Sequence, residues 1–149
     1  MTADQLARLL PSLQQAYGDD LAEARGLSPE EGLAESVRQI ARSLPDGVAT
    51  PGVLLRVAVV DGVQVGWIWV TLPGPDRPGM AWIDNIEVHS AHRGRGHGRR
   101  MIELVEAELA GHGVSRLGLN VFGHNTVARR LYESLGFQVA SQQMTKSLG

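Results

Sequence analysis

The sequence predicts a mixed α/β fold, a β-sheet with helices packed on it, and two observations carry that expectation. Residues 53–60 and 63–72 are rich in β-branched side chains and flank Asp61-Gly62, a hairpin turn signal, which gives an antiparallel pair. Further on, strand, helix and strand patterns follow one another at residues 81–89, 96–111 and 117–122. That order implies a parallel pair joined by a right-handed crossover.

The remaining elements follow in order. Leu6, Leu9, Leu10 and Leu13 stand at helical spacing within residues 4–16, with Pro11 expected to shorten or kink that helix. Ser28-Pro29-Glu30-Glu31 reads as an N-cap, a proline at the first helical position and a capping-box glutamate. The helix it starts carries Leu33, Val37, Ile40 and Leu44 and ends before Pro45-Asp46-Gly47. Residues 73–79 are a loop. Met101, Leu104, Val105 and Leu109 share a face of the helix at 96–111. Residues 125–135 form a helix closed by Gly136, and residues 137–147 are expected to finish as a strand.

Composition narrows the function. The 149 residues fit one domain, and 43% hydrophobic with 20% charged residues is an ordinary globular mix. Fourteen basic against sixteen acidic residues give a net charge of −2, which does not suggest a nucleic-acid binder. The absence of cysteine excludes disulfides, thiolate metal sites and a cysteine nucleophile. No apolar run approaches a membrane span. Asp4 and Arg8 interrupt the apolar start, unlike a secretory signal. A soluble, cytoplasmic domain is the expectation, without membrane or nucleic-acid partners.

Charge is uneven along the chain. Residues 1–50 carry eight acidic and four basic side chains. Two readings of that excess stand side by side: it draws a positively charged ligand such as a polyamine, aminoglycoside or basic peptide end, or it caps and solubilises helices. Four arginines, Arg93, Arg95, Arg99 and Arg100, fall within eight positions and alternate with Gly94, Gly96 and Gly98. Glycines let backbone N–H groups converge on a ligand, and the helix start beyond them favours an anion, so Arg93-Gly94-Arg95-Gly96-His97-Gly98 suits a pyrophosphate. Arg99 stands where a dinucleotide fingerprint needs glycine, and the Gly-Lys-Ser/Thr of a P-loop is absent.

Arg93-x-x-Gly96-x-Gly98, following a strand that ends Ile86-Glu87-Val88, resembles the acetyl-CoA loop of the GNAT N-acetyltransferase superfamily. Asn125-Thr126-Val127-Ala128-Arg129-Arg130-Leu131-Tyr132-Glu133-Ser134-Leu135-Gly136-Phe137 is similar to the same superfamily's N-x-x-A-x-x-L-Y-x-x-x-G-F segment. The resemblance covers residues 80–149, with Val65-Gly66-Trp67 a looser fit to the third strand, and residues 1–50 match nothing that names an acceptor. It implies a single domain over residues 1–149 with a mostly antiparallel sheet and helices on both faces. Residues 1–50 would be its helical, acceptor-side segment. Residues 80–149 would be an acetyl-CoA-binding core in which the parallel strands near 81–89 and 117–122 splay apart.

Main-chain groups of Ile86, Glu87 and Val88 would then hold pantetheine in the splay, and the turn of Arg93, Gly94, Arg95, Gly96, His97, Gly98 and Arg99 would hold the pyrophosphate. The resemblance makes Tyr132 the general acid that protonates the departing CoA thiolate. Tyr132 lies seven residues after Asn125, about 20° off the same helix face. Ala128 falls between them and leaves room for the cofactor. Asn125 reads both as a helix N-cap and as a cofactor contact.

The general base is less defined. Relatives place a glutamate where this chain has Trp82 and Asn120, which cannot accept a proton usefully. Strand alternation puts Asp84 on the face of Trp82 and Ile86 and makes it the nearest candidate, with Glu87 on the opposite face in a structural role. A water chain to solvent stands as the alternative base. His89 and His92 straddle a strand end without a carboxylate at ligand spacing, so no metal is expected. His124 is a further candidate for proton shuttling. Trp67, Trp69 and Trp82 read either as the wall of an acceptor pocket or as core.

The expected activity is direct attack of a primary amine, on a small molecule or peptide, upon acetyl-CoA in a ternary complex. Two rivals remain: a non-catalytic acyl-CoA-binding or regulatory module of the same fold, and an RNA-binding domain using the basic loop, which lacks a broad basic face and has only Phe122 nearby for stacking. Pairing of edge strands into a homodimer stays open.

Overall fold

Thr2 opens the first helix with a reciprocal capping box in the computed structural model, which describes residues 1–149. Its hydroxyl accepts from the Gln5 backbone N–H, and the Gln5 side chain accepts from the Thr2 N–H at 2.8 Å. Helix α1 (Ala3–Arg25) then runs for 23 residues, straight past both Pro11 and the expected end at residue 16. Pro11 lies on the exposed side, and its missing N–H and ring clash cost about 3 kcal/mol in a helix interior. Leu6, Leu13 and Leu21 on the opposite side are buried, and their packing at about 1.5–3 kcal/mol per side chain outweighs that loss.

Helix α2 (Pro29–Ser43) starts at the Ser28 capping box that the sequence predicts. It crosses α1 backbone to backbone at Gly18 and Gly32. A Cβ on Gly18 would stand 2.8 Å from Leu33 Cα, and one on Gly32 would collide with the Gly18 carbonyl oxygen. Gly18 is therefore a crossing point. Ser36, fully buried, donates to the Gln14 carbonyl at 2.8 Å and fixes the register of the pair. Gly32→Ala is expected to lower unfolding free energy by about 1–3 kcal/mol, measurable by urea denaturation, because neither backbone can yield cheaply.

Strands β1 (Val53–Val60) and β2 (Val63–Thr71) form the expected hairpin, with Asp61 and Gly62 both at positive φ (49° and 78°), as this tight turn requires. Strand β3 (Met80–Val88) pairs antiparallel with β2. Helix α3 (His97–Leu109) returns the chain, so that β4 (Arg116–Leu119) lies parallel to β3, and the sheet order is β1-β2-β3-β4. Helix α4 (Thr126–Ser134) follows. One core, including Ile68, Val70, Ile83, Ile102 and Val105, lies on the α3 face of the sheet, and Leu131 and Tyr132 of α4, with Leu135 just after it, pack against it. The other, including Leu6, Leu13, Ile40, Trp67 and Trp69, lies between the sheet and α1 and α2. Helices thus cover both faces. No helix is long and apolar enough to cross a membrane.

Two strands differ from the expectation. β4 leaves the ladder at Leu119, three residues early, because its last partner, Ile83, precedes a bulge in β3. Residues 138–149 form no strand. Val139, Met144 and Leu148 are spaced five and four apart, not two, so a strand there would have no apolar face to bury, and all three are exposed.

Candidate active site

The site begins with one extra residue in β3. Trp69 pairs with Asn85 and Val70 with Ile83, so Asp84 has no partner on β2. A bulge of this kind shifts the side-chain alternation by one. Trp82 and Asp84 face α1 and α2, and so do Asn85 and Glu87, whereas Ile86 turns to the α3 core. This corrects two expectations from simple alternation: Asp84 does not share a face with Ile86, and Glu87 is not opposite Asp84. Glu87 accepts the Trp67 indole N–H at 3.1 Å, beneath the helices.

The same bulge opens the sheet. β3 continues from Asp84 to Val88 with no partner on the β4 side, while residues 120–122 turn away. Between them lies a cleft of about 320 Å³, bounded by the β3 bulge, the end of β4, α1, α2 and α4. Asp84, Asn120, Asn125, Tyr132, Trp69 and Trp82 all line it, so residues 40 or more positions apart in sequence meet there.

Asp84 is open to the cleft, yet protein surrounds it on most sides. That desolvation raises its carboxyl above the ordinary aspartate range, opposed by the Thr71 hydroxyl, which donates to Oδ2 at 2.6 Å, and by the charge of Arg77. Tyr132 is half-buried, with its ring edge-on to Phe137 at 5.7 Å, and burial raises its phenol above the usual value. It is therefore a neutral donor throughout the physiological range. Trp67 is entirely core, Trp69 is core with an edge on the cleft, and Trp82 is cleft wall. The Trp82 ring lies over Gly118, where a Cβ would approach within 2.7 Å, and carries the Arg77 guanidinium 4.6 Å above it. Trp69 Nε1 and Asn85 Nδ2, facing each other across the strand pair, find no partner.

Asn125 is the N-cap of α4: its side-chain oxygen accepts the Ala128 N–H at 3.2 Å while the residue also lines the cleft. At the neighbouring turn, Gly94 and Gly96 hold φ of 72° and 82°, conformations that disfavour any side chain. The backbone N–H groups of Gly96, His97, Gly98 and Arg99 find no acceptor in the chain and stand at the positive end of α3. Gly98 is needed for a different reason, since a Cβ there would lie 3.2 Å from Leu131 of α4.

The loop arginines divide. Arg93 Nε donates to the Val88 carbonyl at 2.9 Å and braces the end of β3, and Arg99 donates to Ser134 Oγ at 2.6 Å and ties α3 to α4. Arg95 is exposed. Free N–H groups, two left-handed glycines and an arginine cluster beside an unpaired strand edge fit a pyrophosphate with an amide-bearing arm. No group of three His, Asp or Glu side chains is placed to hold a metal ion.

Sequence reasoning missed the helical wall. The continuation of α1 past residue 16 brings Tyr17 and Asp20 over the cleft, and α2 adds Gln39. Tyr17 donates to Gln39 Oε1 at 2.6 Å, and burial is the main cause that raises its phenol. Asp20 stands 3.1 Å from His124 Nε2 and is raised mainly by desolvation, with His124 opposing. His124 stacks on Phe122 at a centroid distance of 6.1 Å and so clasps the end of α1 to the loop after β4. Its place is at the helix clasp; it is not among the residues lining the cleft.

Comparison with known proteins agrees with this fold. Residues 13–137 match the model of the acetyltransferase (GNAT) family. The uncharacterized N-acetyltransferase YycN of Bacillus subtilis is 28% identical over 99% of this chain and 96% of its own length. The crystal structure of YycN superimposes with a TM-score of 0.91 over 99% of this chain and 95% of that one. Mycothiol acetyltransferase of Streptomyces coelicolor is 32% identical over 91% of this chain, which spans 41% of that protein. The aminoglycoside N-acetyltransferase AAC(6')-Iy, solved in complex with CoA, shares the fold with a TM-score of 0.59 at 19% identity, over 76% of this chain and 90% of that one. The chain belongs to the GNAT acetyltransferase family and is an acyltransferase.

Proposed function

We propose that the protein transfers an acetyl group from acetyl-CoA to a primary amine by direct attack in a ternary complex. The observation that carries this reading is the convergence of Asp84 and Tyr132 on one cleft at the splay of β3 and β4, beside a turn built for an anion. Residues 80–149 form the cofactor half and residues 1–50 the acceptor side. Acetyl-CoA supplies the activated acyl group. The N–H groups of Gly96–Arg99, with Arg95 and the remaining guanidinium nitrogens of Arg93 and Arg99, would hold its pyrophosphate, and the main chain of Ile86, Glu87 and Val88, where β4 leaves β3 unpaired and only the Val88 carbonyl is taken by Arg93, its pantetheine.

Asp84 acts as the general base. Its carboxylate, held by Thr71, removes a proton from the attacking ammonium or from the water next to it. Tyr132, uncharged in its half-buried position, donates its proton to the leaving sulfur. Asn125 fixes the start of α4 and thereby the direction of Tyr132. The test is thiol release from acetyl-CoA across a panel of primary amines. Release that depends on the amine supports the reading, and acetyl-CoA binding without release on any amine would favour a regulatory module.

A further inference from the structure

The lining of the cleft is selective in a way that the chain's composition is not. The protein has seven aromatic residues, three Trp, two Tyr and two Phe. Five of them, Tyr17, Trp69, Trp82, Phe122 and Tyr132, line this one cleft. Only two charged side chains join them, Asp20 and Asp84, and both are acidic; no lysine or arginine does. Aromatic faces and carboxylates in a partly desolvated space are the two groups that attract alkylammonium ions. An anionic or purely apolar acceptor would meet neither need.

The acids are also separated by role. Asp84 lies on the sheet at the bulge, on the Tyr132 side. Asp20 lies on α1, one helical turn beyond Tyr17, where the Tyr17 and Phe122 rings pack at 6.4 Å. Of the eight acidic residues in positions 1–50, only Asp20 reaches the cleft. Glu31 and Glu35, for instance, cap α2 and pair with Arg38. The net acidity of the segment therefore says little about the acceptor, and the position of this one residue says more.

From this arrangement we infer that the acceptor is a small aliphatic di- or polyamine. One nitrogen loses its proton at Asp84 and attacks, while a second stays charged between Asp20 and the Tyr17 and Phe122 rings. A cleft of about 320 Å³ suits a short chain of this kind better than a folded or peptide substrate. The groups facing Asp20 are His124 at 3.1 Å, with Glu23 on the far side of that ring at 3.5 Å, and the neighbouring Asp19.

The inference rests on the acetyltransferase reading, and the experiment separates the two. The wild type is assayed for kcat/KM with 1,4-diaminobutane, spermidine, propylamine, glucosamine and alaninamide. Binding of 1,4-diaminobutane is measured separately, by tryptophan fluorescence in the presence of CoA. The diamines are expected to exceed propylamine by roughly 10- to 100-fold, the loss typical of a missing charge-assisted hydrogen bond in the poorer substrate. Asp20→Asn is expected to collapse that ratio towards one, and Phe122→Leu to reduce it while leaving the carboxylate in place.

Equal rates for diamine and propylamine, a preference for alaninamide or glucosamine, or a ratio unmoved by Asp20→Asn would overturn the inference while leaving the transferase intact. Tight diamine binding that Asp20→Asn weakens, without acetyl transfer, would keep the diamine site but overturn its role as acetyl acceptor. Neither binding nor transfer would remove both.

Discussion

Tyr132→Phe is expected to lower kcat by about 10²- to 10³-fold while leaving acetyl-CoA affinity nearly unchanged. The expectation follows from where the phenol sits. Its ring packs edge-on against Phe137, a contact that phenylalanine preserves, so the fold and the shape of the cleft survive. What is lost is one O–H, kept protonated by burial and placed where α4 meets the splayed strands. Thiol release under saturating substrates reads kcat, and calorimetry with acetyl-CoA reads affinity. A loss confined to affinity would make Tyr132 a binding residue and remove it from the chemistry.

Asp84→Asn is expected to reduce kcat/KM by about 10²- to 10⁴-fold. Asparagine fills the same space and can still meet the Thr71 hydroxyl, but it cannot take a proton. In the wild type, the acidic limb of the pH profile should lie above the ordinary aspartate range, since cleft desolvation raises this carboxyl, and the variant should lack that limb. Stability should move the other way. A carboxyl whose pKa is raised by folding stabilises the native state most below its unfolded pKa, and that contribution fades as pH rises through the folded pKa. At neutral pH the ionised group is a cost, so Asp84→Asn should raise Tm as it lowers activity. A fall in Tm together with an unchanged pH profile would assign Asp84 to structure and leave a water chain as the base.

How far the sequence reaches can be seen at individual residues. Asp61-Gly62 and Ser28-Pro29 announce their turn and helix because the relevant chemistry is local: a positive φ and a cap need only neighbouring atoms. The turn at residues 93–98 is legible for the same reason. The bulge at Asp84 is different, because it is a mismatch between two strands, although it leaves a trace. The buried phase runs Ala81, Ile83 and then Ile86, Val88, with two polar residues between, and that slip marks the extra residue. Reading it would have placed Glu87 beside Trp67 and Asn85 beside Asp84 on the face covered by α1 and α2.

The length of α1 was not legible. Pro11 signals an early end and is overruled by a buried leucine stripe, and the helix then runs on through Gly18, where it crosses Gly32. With α1 cut short, Tyr17 and Asp20 stay out of view, and so does the helical wall of the cleft. At the other end, Gln138 to Gly149 lack the period-2 pattern that a strand needs to hide one face.

The central claim is that the turn after β3 and the splay beside it receive acetyl-CoA. Calorimetric titration of the wild-type protein with acetyl-CoA, beside Gly96→Val, tests it most directly. The account predicts one site per chain in the micromolar range, and affinity at least tenfold weaker in the variant, because valine disfavours the φ of 82° that aims the N–H groups of α3. No binding by the wild type, or equal affinity in a folded Gly96→Val, would contradict it.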